Sequence, residues 1–137
     1  MRYYIDTNVL ASIFVNELPF PIQDIINDSE NIIYISSASV QEFIHLFKIG
    51  KIKPNKNSKS ISAFGFIEND LNFTIKYVTK EHIKKFNDLE IIEGHNDPTD
   101  HLIISQAISE KITLISSDQK FIKYKKQGLD LISYKRK

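Results

Sequence analysis

The chain has 137 residues, 42% of them hydrophobic and 26% charged, with no cysteine and a formal net charge of +1. These values predict one globular domain over residues 1–137, and they exclude a disordered chain, disulfides, thiolate nucleophiles and zinc–thiolate sites. Because no apolar run approaches a membrane span of about 18 residues and MRYYIDTNVL (1–10) has no signal-peptide pattern, we expect a cytoplasmic protein with no membrane partner.

Short runs of β-branched and aromatic residues alternate along the chain with stretches of helical periodicity. The predicted strands, in chain order, are 2–5, 31–36, 73–78, 112–116 and 129–134. The predicted helices are 21–28 (PIQDIIND), 39–52 (SVQEFIHLFKIGKI), 101–108 (HLIISQAI) and a helical start at 119–124 (QKFIKY). Residues 52–62 (IKPNKNSKSIS) predict a loop between helices. This alternation indicates an α/β/α sandwich around a parallel sheet of about five strands.

Four acidic residues lie at the junctions between these elements. Asp6 follows the first predicted strand, Asp118 follows the fourth, and Glu42 lies in the helix that begins after the second. Asp100 is at the start of the helix that precedes the fourth strand. The carboxyl ends of parallel strands share one edge of a sheet, so we expect the four side chains to lie close together.

Carboxylates at such short range raise each other's pKa and destabilise the fold unless a cation neutralises them. A site of oxygen ligands without cysteine favours Mg²⁺, with Mn²⁺ able to substitute. The chemistry that follows is attack of a metal-activated water on a phosphodiester.

Each acid also has a local structural explanation. Asp97 has the position of a helix N-cap, followed by Pro98 at the first helical position and by Asp100 in the first turn. Ser39 and Glu42 match the spacing of a capping box. Asp118 could favour the start of the helix that follows it.

Four segments resemble, in order and spacing, the motifs of PIN-domain ribonucleases, and most closely those of VapC-type toxins from toxin–antitoxin pairs. They are DTNVL (6–10), SVQEFIHLFKIGKI (39–52), HNDPTDHLIISQAI (95–108) and LISSDQKFIKY (114–124). The resemblance implies an endoribonuclease dependent on Mg²⁺ or Mn²⁺ that inhibits growth as a toxin. It also implies a homodimer and a small VapB-like antitoxin that blocks the active site.

The resemblance assigns roles residue by residue. It puts Asp6, Glu42, Asp100 and Asp118 on the four acidic positions that act in catalysis and metal binding. Asn8 falls on a common asparagine, and Ser116 falls on a Thr or Ser that often stands two residues before the last acid. Asp97 is expected to be a helix cap first and a helper of the site second.

The chain departs from the motif at two positions, where Thr99 and His101 replace a frequent Phe and Arg. An aromatic wedge and a permanent cation are therefore missing. We expect His101 to lie at the surface, where it could position substrate by contacting phosphate when protonated. His45, His82 and His95 show no metal-ligand spacing. The basic runs 48–59 and 120–126 are either solvated segments or contacts for RNA phosphates.

Other functions also fit parts of this pattern. A PIN domain can act in RNA maturation or decay instead of toxicity. An Asp after the first strand also suggests a haloacid-dehalogenase-like phosphatase, but that class needs a second Asp where this chain has Asn8. A receiver-like domain would show adjacent acids after its first motif and a lysine ending a late strand. A PIN-like fold that only binds RNA or a partner typically loses acids, and all four are present here.

Overall fold

In the computed structural model, residues 1–53 and 62–136 are described. The strands are β1 (Arg2–Ile5), β2 (Ile32–Ser36), β3 (Thr74–Lys76), β4 (Thr113–Ser116) and β5 (Leu131–Ser133). The α-helices are α1 (Thr7–Phe14), α2 (Phe20–Asn27), α3 (Ser37–Lys48), α4 (Lys80–Asp88) and α5 (Pro98–Glu110). A π-helical turn spans Gly65–Asp70, and a 3₁₀ helix spans Gln119–Gln127.

All five strands are parallel and lie in the order β3-β2-β1-β4-β5. The chain adds β2 and β3 on one side of β1, then crosses back to add β4 and β5 on the other. The strand order therefore reverses between β1 and β4, where Tyr4 is in register with Leu114. Open parallel sheets bind ligands outside the carboxyl ends of their strands at such a switch point. The predicted parallel α/β sandwich is confirmed.

Side chains that alternate along the strands build two cores, one on each face of the sheet. Tyr3 and Ile5 of β1 pack on one face with α1, α2 and α3, whereas Tyr4 packs on the other with α5 and the 3₁₀ helix. Both faces are thus covered by apolar side chains. The strand ends at the carboxyl edge are left to carry polar groups.

Helix α3 differs from its predicted range at both ends. Helix α3 begins at Ser37 and is capped by Ser36, whose Oγ accepts the Ala38 N–H at 3.0 Å. The predicted capping box of Ser39 and Glu42 is therefore wrong, since Ser39 lies inside the first turn. The same helix ends at Lys48, before Gly50 takes a φ of +75°, and so it stops short of residue 52.

Helices α1 and α4 were not predicted, for different reasons. Helix α1 starts directly after β1 with no loop, so that its polar first turn was interpreted only as a functional motif. Helix α4 has few apolar residues, and one of its buried positions is His82, which is 5% exposed. A buried histidine does not contribute to the apolar periodicity by which helices are predicted.

The predicted loop 52–62 lies largely outside the described residues, as does most of the basic run 48–59. Among the helices of residues 1–53 and 62–136, none combines the length and the apolar content of a membrane span.

Candidate active site

Asp6 is placed at the switch point by the end of β1 and the start of α1. It is the N-cap of α1, where its Oδ1 accepts the Val9 N–H at 3.0 Å. Its Oδ2 accepts a hydrogen bond from the Ser116 hydroxyl at 2.5 Å. Burial raises the pKa of Asp6 to about 7, against the lowering effect of these two hydrogen bonds, and the charges of Asp100 and Asp118 raise it further.

Ser116 connects the two central strands at this edge. While its hydroxyl donates to Asp6, its Oγ accepts the backbone N–H of Asp118 at 3.0 Å. Asp118 in turn caps the 3₁₀ helix, because its Oδ1 accepts the Lys120 N–H at 2.9 Å. The predicted helix at 119–124 is thus present as a 3₁₀ helix, and one serine fixes the relative positions of two acids.

Helix α5 brings Asp97 and Asp100 to the same edge. Asp97 is its N-cap, and one carboxylate oxygen accepts the N–H groups of Thr99 and Asp100 at 2.9 and 3.3 Å. Burial raises the pKa of Asp100 to about 7, and the charges of Asp97, Asp118 and Glu42 add to the effect, while Lys120 opposes it. The predicted N-cap at Asp97 is confirmed. Asp97 is exposed, whereas Asp100 is partly buried.

Glu42 comes to the site from helix α3. The cap of that helix is Ser36, so Glu42 is not the partner of a capping Ser39. Glu42 faces a cleft of about 380 Å³ that contains all four predicted acids. The lining residues are Asp6, Thr7, Asn8, Glu42, His45, Leu46, Ile49, Lys51, Asp97, Asp100 and Asp118.

The cleft fits a divalent cation by its donors. Carboxylate oxygens of Asp100 and Asp118 lie within 4.8 Å of each other, and the ring of His95 lies against Asp100. Burial is the main cause of the raised pKa values of Asp6 and Asp100, and the charges of neighbouring carboxylates add to it. Thr7 Oγ1 is buried against the cleft and has no hydrogen-bond partner among the described residues. Carboxylate and hydroxyl oxygens in this arrangement are the donors that Mg²⁺ or Mn²⁺ prefers.

The other predicted residues take different places. Asn8 and Asp97 are exposed at the rim of the cleft, and Ser116 is buried beneath Asp6. His101 was expected at the surface, which is wrong: it is 3% exposed, and its Nε2 contacts the His95 carbonyl oxygen at 2.8 Å. Burial lowers the pKa of His101, so that the neutral form donates this bond, and the expected contact of a charged His101 with phosphate does not fit this position.

The sequence gives His95 no metal-ligand spacing, yet its ring lies against Asp100. Its Nε2 is 3.0 Å from Asp100 Oδ2, and its Nδ1 is 2.8 Å from the Tyr124 hydroxyl. No sequence signal indicates these contacts, because Tyr124 is 29 residues away and comes from another element. From the basic run 48–59, Lys51 lines the cleft.

The fold and the cleft together define a doubly wound α/β protein with an acidic cleft at its switch point. Residues 3–127 match the sequence profile of the PIN domain, so the chain belongs to the PIN domain family. PIN domains are nucleases. This membership removes the reason for considering a phosphatase or a receiver domain.

Solved structures with the same fold include complexes named VapBC. The chain is 21% identical to VapBC2 from Rickettsia felis bound to a promoter DNA fragment, with 98% and 99% of the two chains covered and a TM-score of 0.64. It is 15% identical to DNA-bound VapBC from Salmonella typhimurium, with 97% and 98% covered and a TM-score of 0.69.

A further similar structure is VapBC-5 from Mycobacterium tuberculosis, of the VapBC family of toxin–antitoxin systems. There the identity is 13%, 98% of each chain is covered, and the TM-score is 0.57. A comparison with curated proteins found no significant match. At these identities, the structures show the fold.

Proposed function

We propose that the protein is an endoribonuclease dependent on Mg²⁺ or Mn²⁺, and that the acidic cleft is its active site. The observation that carries the proposal is the convergence of Asp6, Glu42, Asp100 and Asp118 on one cleft at the switch point of a PIN domain. A bound divalent cation would supply an activated water and would stabilise charge on the phosphate. Hydrolysis would add that water across a P–O bond of RNA.

The residues of the chain divide the work in this proposal. Asp6, Asp100, Asp118 and Glu42 would hold the cation. Ser116 keeps Asp6 and the start of the 3₁₀ helix in register through its two hydrogen bonds. Lys51 at the rim would contact the negatively charged backbone of RNA, as Asn8 would through its amide.

The test is cleavage of RNA by the purified chain, freed of any partner. We expect fragments with Mg²⁺ or Mn²⁺, no cleavage with EDTA, and recovery of cleavage when the metal is added back. Cleavage at the full rate in excess EDTA would contradict the proposal. Asp6→Asn provides the matched control for a contaminating nuclease, because it changes one atom of the site and should copurify with the same contaminants.

We further propose a toxin role, with a small VapB-like antitoxin as partner. Support comes from structures of VapBC complexes that share the fold and from the chemistry of the cleft. A cluster of carboxylates without its metal favours a cationic side chain, so a basic segment of an antitoxin would block the site. Expression of the chain alone should arrest growth, whereas Asp6→Asn should not. Unimpaired growth alongside active nuclease in the same cells would favour a role in RNA maturation or decay.

We also propose a homodimer. Next to the acidic cleft lies an apolar groove of about 730 Å³ between α3, α4 and α5, and Glu42 and His45 line both. Its exposed side chains include Tyr77 at 63% and Ile83 at 49%. Exposed apolar surface of this kind favours association with a second copy. Ile83→Glu should yield monomers in sedimentation, whereas Ile91→Glu, at an exposed position outside the groove, should leave the dimer intact.

A further inference from the structure

The loop before α5 carries a buried histidine that contacts one acid of the cleft. His95 is 3% exposed, although it lies in a loop, directly after Gly94, whose φ is +84°. Its ring packs edge-on against His101 at 4.7 Å and lies 5.4 Å from the Tyr124 ring, measured between centroids. The His101 Nε2–H holds the His95 carbonyl oxygen at 2.8 Å. Both the ring and the backbone of His95 are therefore held in place.

The donors and acceptors around this ring allow one arrangement when Asp100 is ionised and His95 is neutral. A carboxylate only accepts, so the hydrogen of the 3.0 Å contact must be on His95 Nε2. Nδ1 of the neutral ring is then an acceptor and takes the hydroxyl hydrogen of Tyr124 at 2.8 Å. The Tyr124 oxygen accepts the Ile92 N–H at 3.2 Å, so each group in this series of hydrogen bonds has a partner.

We propose that His95 is a positioning residue: oriented by Tyr124, it holds Oδ2 of Asp100 and leaves Oδ1 for the cation. This inference rests on the proposed function, because it assigns Asp100 to a metal site. Residues that hydrogen-bond a metal ligand fix its orientation, and their loss typically weakens metal affinity by about 10- to 100-fold. His95 would thus act on the metal through Asp100 and not as a ligand.

Two amide substitutions separate the two ends of the ring. The glutamine amide nitrogen reaches the place of Nε2, so His95→Gln keeps a donor for Asp100 and loses the contact with Tyr124. The shorter asparagine side chain reaches only the place of Nδ1, so His95→Asn keeps a partner for Tyr124 and loses the bond to Asp100. Mn²⁺ affinity, measured from the electron paramagnetic resonance signal of free Mn²⁺, is independent of catalysis.

We expect His95→Gln to bind Mn²⁺ within about threefold of the parental chain and His95→Asn to bind it on the order of tenfold more weakly. Similar thermal unfolding of the two variants would show that the difference is local. Equal weakening in both would overturn the inference, since that is the result expected of a packing residue or a direct ligand. Unchanged affinity in both would overturn it as well.

Tyr124→Phe offers a second route if His95→Asn fails to fold. It removes the hydroxyl that orients His95 and keeps the ring in the core. We expect weaker Mn²⁺ binding than in Tyr4→Phe, which removes another buried hydroxyl, one bonded to Glu110 away from the cleft. Equal affinities in these two variants would overturn the inference. A parental chain that binds no Mn²⁺ would instead overturn the proposed function, so the two failures are distinguishable.

Discussion

Asp6 and Asp97 are both helix N-caps, but they differ in their surroundings. Asp6 is 3% exposed, and burial and neighbouring acids raise its pKa. Asp97 is exposed at the rim of the cleft. We expect Asp6→Asn to abolish RNA cleavage with the fold intact, because the amide keeps the shape and removes the charge. Asp97→Asn should retain most activity, since asparagine caps a helix about as well as aspartate.

Cleavage assays and circular dichroism on both variants measure this difference. Asp97→Ala is the control for the cap, because alanine cannot accept the N–H groups of Thr99 and Asp100. It should cost about 1 kcal/mol of stability. An equal loss of activity in Asp6→Asn and Asp97→Asn would contradict the assigned roles.

The capping box of Ser39 and Glu42 would have explained Glu42 as a structural residue. Ser36 is the cap of α3 instead of Ser39, so this explanation does not hold. We therefore expect Glu42→Gln to slow RNA cleavage by a factor on the order of one hundred or more, as when a group that acts on the transition state is removed. Thermal stability should hold or rise, since one charge of a crowded set is removed.

The matched control is Glu81→Gln, which changes an exposed glutamate on α4 and should affect neither rate nor melting. A Glu42→Gln protein that melts normally and cleaves RNA at the parental rate would contradict a catalytic role of Glu42. The site would then consist of three acids.

At the scale of residues, the acids could be predicted because each follows a strand or begins a helix, and parallel strands bring these positions to one edge. The caps at Asp97 and Asp118 followed from local rules in the same way. His95 and Tyr124 could not be predicted. Their contact depends on how a loop and a 3₁₀ helix pack, and no spacing in the sequence records that packing.

At the scale of elements, Glu110 ties the end of α5 to three other elements. Its carboxylate accepts hydrogen bonds from Tyr4 of β1, from Lys76 of β3 at 3.0 Å, and from His82 of α4 at 3.1 Å. Burial alone would raise the pKa of Glu110, but these bonds and the charge of Lys76 lower it below its usual value. The stability it contributes is present above the pKa of the unfolded chain and is lost as pH falls through the folded value.

We accordingly expect Glu110→Gln to lower the free energy of unfolding at pH 7 by roughly 1–3 kcal/mol, the cost of weakened bonds to a partly buried group. The variant should also lose less stability than the parental chain as pH falls below 4.5, the usual pKa of a glutamate. Urea unfolding at several pH values measures both effects. Parallel pH profiles for the two proteins would contradict this role of Glu110.

The strands and helices differ in how clearly the sequence predicts them. Strands β1, β2 and β4 are continuous apolar runs, as buried parallel strands are, and all were predicted. Helix α4 was missed because a histidine that serves both a capping box with Thr79 and the contact with Glu110 occupies a core position. Helix α1 was missed because no turn separates it from β1.

At the scale of the whole molecule, the acidic cleft makes stability depend on pH and metal. Folding raises the pKa of Asp6 and of Asp100 from 3.8 to about 7. The folded state then holds protons that the unfolded chain has released, so the stability present below about pH 4 is lost as pH rises toward 7. Without metal, the melting temperature should therefore fall between pH 5 and 8, and less steeply in Asp6→Asn.

Added Mg²⁺ should raise the melting temperature more at pH 8 than at pH 5, because it binds the ionised carboxylates, and EDTA should reverse the gain. Scanning fluorimetry over this pH range is sufficient. If Mg²⁺ raised the melting temperature equally at both pH values, or equally in Asp6→Asn and the parental chain, it would bind outside the cleft.

Crystals soaked in Mn²⁺ would show directly where the metal binds, because anomalous scattering locates the ion. If the cleft is the metal centre of a nuclease, a peak should lie within about 2–2.3 Å of carboxylate oxygens from Asp6, Asp100 or Asp118, with Glu42 facing the same ion. The peak should disappear in Asp6→Asn crystals soaked in the same way. Mn²⁺ bound only outside the cleft, at a concentration that supports RNA cleavage, would show that the cleft is not the metal centre.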